Sequence, residues 1–201
     1  MEIMTKPFSQ ACENNKGVIL ERLITAFNDN KKILEIGTGT GQHSVHFAKH
    51  LPQLVWQTTD QPQYHAGINQ WLAEANLPNL IKPLSFNVND KQWPLADDVD
   101  GVFSANTLHI MSWPSVQNFF KGVGEYLPNC SSLCVYGPFN YAGKYTSNSN
   151  ARFDMLLAQQ NEGSGIRDFE AVDELASEQG FKLLADNEMP ANNRLLHWQK
   201  E

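Results

Sequence analysis

The sequence predicts an α/β fold: a mostly parallel sheet of seven strands, the last antiparallel, with helices on both faces. Three observations predict it. Short apolar runs alternate with segments of helical period along the 201 residues, and that alternation implies right-handed crossovers and a largely parallel sheet. A glycine cluster, Gly37-Thr38-Gly39-Thr40-Gly41, breaks the chain just after the first apolar run. The last two runs are joined only by Met189-Pro190-Ala191-Asn192-Asn193, too short for a parallel return, which needs about a dozen residues.

The elements follow in order. Ile19, Leu23, Ile24 and Phe27 repeat at helical spacing, which predicts a helix over 18–27. The run 33–36 is short enough for a buried strand. Residues 42–50 read as a helix closed by Leu51-Pro52, and 55–59 as a second strand ending at Asp60. Pro62 suits the first turn of a helix reaching about Asn76. Residues 84–88 and 99–105 read as the third and fourth strands, 113–127 as a helix and 132–136 as the fifth strand. Asp168 is placed to cap a helix running to Gln179, with Gly180 as its stop. Strands over 181–185 and 195–199 close the sheet. One segment breaks the rhythm: residues 137–167 stand where a strand-to-helix loop usually takes about 2–6 residues. Part of it, near 151–160, reads as helix. It leaves the C-terminal end of a central strand, the side on which open α/β sheets bind ligands.

Composition narrows the function. The length fits one domain over 1–201, with a lid-like insertion at 137–167. A 41% hydrophobic and 18% charged chain fits a globular protein. No apolar stretch approaches the roughly 20 residues of a membrane span, and residues 1–10 lack the apolar core of a leader peptide. A net charge of −7 gives no footprint for nucleic acid or anionic lipid, so neither is expected as a partner. Three sparse cysteines, Cys12, Cys130 and Cys134, suit a reducing cytoplasm.

The glycine turn carries the strongest signal. Glycine admits positive φ and lets a ligand lie against bare backbone. Asp60, at the end of the next strand, neighbours the turn in a parallel pair, where its carboxylate can accept both hydroxyls of a ribose. The dinucleotide fingerprint is G-x-G-x-x-G, but its third glycine position is Gln42. The spacing here is G-x-G-x-G. Together with Glu35 it resembles the first motif of the class I S-adenosylmethionine (SAM) methyltransferases, E-x-G-x-G-x-G. SAM carries no phosphate, so a turn without lysine suits it.

The whole chain also resembles the methyltransferase-like 26 family. The residues that carry this are Asn15-Lys16, Leu34-Glu35-Ile36-Gly37, Gly39-Thr40-Gly41-Gln42-His43, Tyr136-Gly137-Pro138-Phe139, Thr146-Ser147, Ser149-Asn150, Phe153-Asp154, Gly165-Ile166-Arg167-Asp168 and Met189-Pro190-Ala191-Asn192-Asn193. Asn14 and Ser164 stand where that family usually has Arg and Trp. The resemblance implies a Rossmann-like class I methyltransferase fold with SAM as cofactor. It implies a cofactor site of Glu35, Gly37, Thr38, Gly39, Gly41, His43, Asp60, Asn87 and Asn106. Asn87 stands where an Asp commonly binds the adenine amino group, with Asp90 as second choice. The acceptor pocket is expected to draw on Asn15, Tyr136, Phe139, Asn150, Arg152, Arg167, Asn192 and Asn193.

Methyl transfer from a sulfonium is an in-line displacement that needs alignment and, for some acceptors, a base. His109, just past the fourth strand, is the candidate base. His43, His46 and His50 share a helix face, but without the Glu of H-E-x-x-H they are not read as metal ligands. Arg167 is expected to anchor the following helix through an ion pair with Asp168. Asn106 is followed by Thr107-Leu108-His109 rather than Pro-Pro-aromatic, and no Pro-Cys stands there, which argues against base methylation. The expected activity is methylation of a small molecule or a protein side chain. A catalytically silent SAM-binding sensor or partner subunit, and an NAD-dependent oxidoreductase, are the alternatives.

Overall fold

The computed structural model describes residues 6–95 and 98–201. Residues 1–5, half of the stretch read above for a leader, lie outside it. In chain order the elements are α1 (Gln10–Ala26), β1 (Lys32–Ile36), α2 (Gln42–His50), β2 (Val55–Asp60), α3 (His65–Ala75), β3 (Leu80–Ser85), β4 (Gly101–Ala105), α4 (Trp113–Tyr126) and β5 (Ser132–Gly137). There follow β6 (Phe139–Asn140), α5 (Asn148–Gln160), β7 (Arg167–Asp168), α6 (Phe169–Glu178), β8 (Phe181–Met189) and β9 (Asn193–Lys200).

The seven-stranded sheet has the order β3-β2-β1-β4-β5-β9-β8. All pairings through β5 are parallel, and β9 runs antiparallel to both β5 and β8. Adjacent side chains on a strand point to opposite faces, and the core divides accordingly. Leu34, Val102, Leu133, Val135 and Trp198 pack with Phe119, Phe120 and Val172 of α4 and α6. Ile33, Phe103 and Trp56 pack with Ile19, Leu23 and Phe47 of α1 and α2. Helices thus cover both faces, as a parallel sheet requires. The order in which successive strands are added reverses between β1 and β4, which opens a crevice at their C-terminal ends.

Several boundaries differ from the sequence reading. Helix α1 starts at Gln10, capped by Ser9, whose Oγ accepts from Cys12 N at 3.3 Å. Its first turns are polar and carry no apolar period. Strand β3 lies over Leu80–Ser85 rather than 84–88. Pro83 argues against a strand, but β3 is an edge strand and its register against β2 slips between Gln57 and Thr59, a place where proline is tolerated. Asp168 holds the N-cap position of α6 without a side-chain capping bond. It is engaged instead in a second, two-stranded sheet, where β6 and β7 pair in parallel. Among the described residues no helix is long and apolar enough to cross a membrane.

Candidate cofactor and acceptor cavity

A cavity of about 800 Å³ opens at the C-terminal ends of β1, β2 and β4. Its floor is the glycine turn. Gly37, Gly39 and Gly41 all take positive φ, at 76°, 65° and 94°. A Cβ on Gly41 would stand 3.2 Å from Trp71 Cβ and 3.4 Å from Ile68 Cα, so the turn also packs tightly on α3. A Cβ on Gly39 would meet nothing within 4 Å, which leaves that backbone bare toward the cavity.

Asp60 is tied to this floor. Its Oδ2 accepts from Gly39 N at 2.7 Å and its Oδ1 from Gln61 N at 2.7 Å. Burial raises its carboxyl above the usual range, against those two bonds. Thr38 N donates to Thr59 O, and Thr38 Oγ1 accepts from Thr59 N at 3.1 Å, which fastens the turn to β2. Gly37, Thr38, Gly39, His43, Asp60, Asn87, Asn106 and His109 all line the cavity.

Two members of the expected cofactor set, Glu35 and Gly41, do not line it. Gly41 works as the tight packing point just described. Glu35 sits behind the turn at 2% exposure. Its Oε2 accepts from Ser44 Oγ, from Trp56 Nε1 at 3.0 Å and from Thr38 Oγ1 at 3.4 Å. Burial outweighs these bonds and pushes its carboxyl up to about 7. Glu35 therefore organises the turn from within rather than touching a ligand. Asn87 Oδ1 accepts from Asn89 N at 3.0 Å, which leaves one lone pair for a ligand amino group. Asp90 is not a lining residue. Asn106 takes φ 58° and donates its N–H to Tyr136 O at 2.8 Å, so β4 turns sharply into the cavity wall.

None of the eight residues expected for the acceptor pocket lines the cavity. Asn15, Tyr136 and Asn193 form a buried polar cluster behind it. Asn15 Oδ1 is bonded to His43 Nε2 at 2.7 Å, and the Asn15 and Asn193 side chains bond the Tyr136 hydroxyl. Phe139 is a core residue at 1% exposure. Asn150 Nδ2 donates to Thr146 Oγ1 and to Asn192 O, and Asn192 Nδ2 donates to Ser149 Oγ. That pair joins the insertion to the turn before β9. Arg152 is exposed on α5. Arg167 anchors the loop after β4, through backbone carbonyls rather than the expected ion pair: it donates to Leu108 O, Met111 O and Gly163 O.

His109 is the expected base. Its ring meets the edge of Phe153 with centroids 5.4 Å apart. Burial first, and the Arg167 charge second, pull its pKa down to about 4. It is a neutral imidazole at pH 7. His43 is likewise pulled down to about 4 by burial. The sequence reading missed Ser9, Cys12, Tyr64, Ile110, Phe153 and Asn161, all of which line the cavity. A signal existed for Ser9, an N-cap residue type ahead of α1. Phe153 and Asn161 lie inside the insertion, where no period marks a cavity-facing side.

Solved structures of known proteins share this fold. An O-methyltransferase family protein from Burkholderia thailandensis matches with a TM-score of 0.83 at 14% identity, over 96% of this chain and 57% of that one. An O-methyltransferase family 2 protein from Planctomyces limnophilus, in complex with apigenin, matches at 0.84 and 13%, over 95% and 58%. Human N-acetylserotonin methyltransferase in complex with SAM matches at 0.75 and 13%, over 94% and 58%. At such identities the likeness is one of fold, and the chain spans a little over half the length of these structures. A family model matches residues 6–200, and the chain belongs to that family, described as a protein of unknown function, DUF938.

Proposed function

We propose that the chain binds SAM and transfers its methyl group to a small molecule or a protein side chain. The observation that carries this reading is the carboxylate of Asp60 held at 2.7 Å from Gly39 N, beside bare backbone and on the floor of a cavity that continues to His109. Asp60 would hold the ribose, Asn87 the adenine edge, and the 37–39 backbone with His43 and Asn106 the amino-acid end. When bound, SAM supplies an activated methyl group on a cationic sulfur. His109 holds a free lone pair and takes a proton from the acceptor. Residues 137–167 act as lid and acceptor wall; Phe153 and Asn161 support that role. The shared fold of SAM-dependent methyltransferases and the likeness to the methyltransferase-like 26 family support the same reading. The free thiols suit a cytoplasmic protein.

Calorimetric titration with SAM, S-adenosylhomocysteine and NAD tests it. Binding of the first two and none of the third is expected. Tight NAD binding without response to SAM overturns it. Against NAD stands Gln42, in place of the third fingerprint glycine, with its side chain bonded to Ser9 and Glu13. Binding of SAM with no transfer to any acceptor is the outcome that favours a silent binder.

A further inference from the structure

The cavity's charge pattern narrows the acceptor. We propose that its His109 end takes an uncharged, largely apolar hydroxyl compound, a phenol or enol, and rejects phosphate, carboxylate and ammonium groups. This rests on the methyl-transfer reading above and deepens it.

Among the described residues no Lys or Arg side chain lines the cavity, and Asp60 is its single carboxylate. Asp60 closes β2, whereas His109 follows β4, with β1 between them. The ends of β2 and β4 lie roughly 10 Å apart at about 4.8 Å per strand spacing, which sets Asp60 apart from an ammonium at the His109 end. Arg167, whose charge reaches His109, directs its N–H groups at the carbonyls of Leu108, Met111 and Gly163. An anion entering here would lose its water and find no cationic side chain in the wall to donate to it, only the field of Arg167 from behind His109, which is unfavourable. The walls at this end are Ile110, Met111 and Phe153, with hydroxyl and amide groups from Ser112, Ser115 and Asn161. Ile110 and Phe153 are also 54% and 38% exposed, so the mouth itself is apolar.

The chemistry agrees. The acceptor oxygen takes the methyl carbon from sulfur, the S–C electron pair stays on sulfur, and the O–H proton passes to His109. The positive charge lost at sulfur reappears on the imidazole, so the cavity's net charge does not change during the step. A base that binds protons as weakly as His109 does suits an acidic O–H better than an alkyl alcohol.

Three matched probes test this on the protein loaded with S-adenosylhomocysteine at pH 7: 2-naphthol, 2-naphthoate and 2-naphthylmethylammonium. The naphthol is expected to bind at least tenfold tighter than either ion. Ile110→Lys, at an exposed position, is expected to raise naphthoate affinity about tenfold and abolish the preference. Equal or tighter binding of either ion to the wild type overturns the proposal, as does no binding of any probe. If S-adenosylhomocysteine itself fails to bind, the methyl-transfer reading falls. The probes are then titrated into the free protein, where the same order of affinities still decides the acceptor proposal.

Discussion

Replacing Glu35 by Gln isolates the cost of a charge held behind the glycine turn. The carboxyl is buried at 2% exposure, receives three hydrogen bonds, and still rises from 4.5 to about 7, because burial outweighs the donors and Asp60 adds repulsion. Between pH 4.5 and 7 the folded protein holds a proton that the unfolded chain has lost. Stability from this group is therefore complete below pH 4.5, falls as pH rises through the window, and is gone above 7. At about 1.4 kcal/mol per pH unit the whole effect is about 3 kcal/mol. Gln is neutral throughout and keeps one acceptor oxygen for Trp56 and Ser44. The assay is urea unfolding of both proteins at pH 5 and pH 8. The stability of Glu35→Gln relative to wild type is expected to improve by about 2–3 kcal/mol from the lower pH to the higher, since part of the Glu35 contribution is already lost at pH 5. His43, His46 and His109, each pulled down from 6.5 to about 4, favour the fold increasingly as pH rises over that lower range. They do so in both proteins and cancel in the comparison. Parallel pH profiles would mean that the three donors keep Glu35 ionised in the fold, and the reasoning would be refuted.

Asp60→Ala removes the proposed ribose carboxylate and the partner of Gly39 N; S-adenosylhomocysteine affinity should drop by about 1.5–3 kcal/mol in calorimetry. An unchanged Kd with an intact thermal transition means the ribose is held elsewhere. Gly41→Ala forces a Cβ onto a backbone at φ 94° and against Trp71, and should cost about 1–3 kcal/mol of unfolding free energy; a wild-type urea midpoint would contradict the packing argument. His109→Ala should lower turnover about 10²–10⁴-fold and leave the S-adenosylhomocysteine Kd unchanged, so a full-rate variant removes it as base. Exchanging residues 141–149 for a Gly-Ser linker should leave SAM affinity within about 1 kcal/mol, less than one charged hydrogen bond, while turnover collapses through lost positioning. Loss of SAM binding would assign the segment to the cofactor site.

The sheet and its glycine turn were legible because their signals are local. The 33–36 run, the three glycines and Asp60 carry their meaning in sequence spacing alone. What escaped depends on distant partners. Strand β3 was misplaced because Pro83 is acceptable only where a register slip and a free edge coincide, and neither shows in the sequence. Strand β8 was cut short at Ala185 because Asp186, Asn187 and Glu188 are polar. Arg194 on the neighbouring strand pairs with Asp186 at 2.7 Å and with Glu188 at 3.2 Å, and sustains the strand there. The residues expected for the acceptor pocket stand off the cavity for a related reason. Asn15, Tyr136 and Asn193 have the chemistry of ligand contacts, but each finds a partner in another element, so their polar atoms are already engaged. Ile110 and Phe153 look like ordinary core residues until the fold leaves them at a rim.

The short pairing of Phe139 with Arg167 and Asn140 with Asp168 acts as a clasp on the insertion between them. With both ends pinned, the entropy of closing the enclosed chain rises by only about 0.6 kcal/mol for each doubling of its length. The segment is thus an exchangeable cassette. Its helix α5 can be lengthened, trimmed or replaced, with the acceptor wall proposed for it, while β1 and β2 go on presenting Gly39 and Asp60 unchanged. On the proposed reading, a change of acceptor range asks for new side chains at 110–115 after β4 and within 141–166, and for none in the sheet.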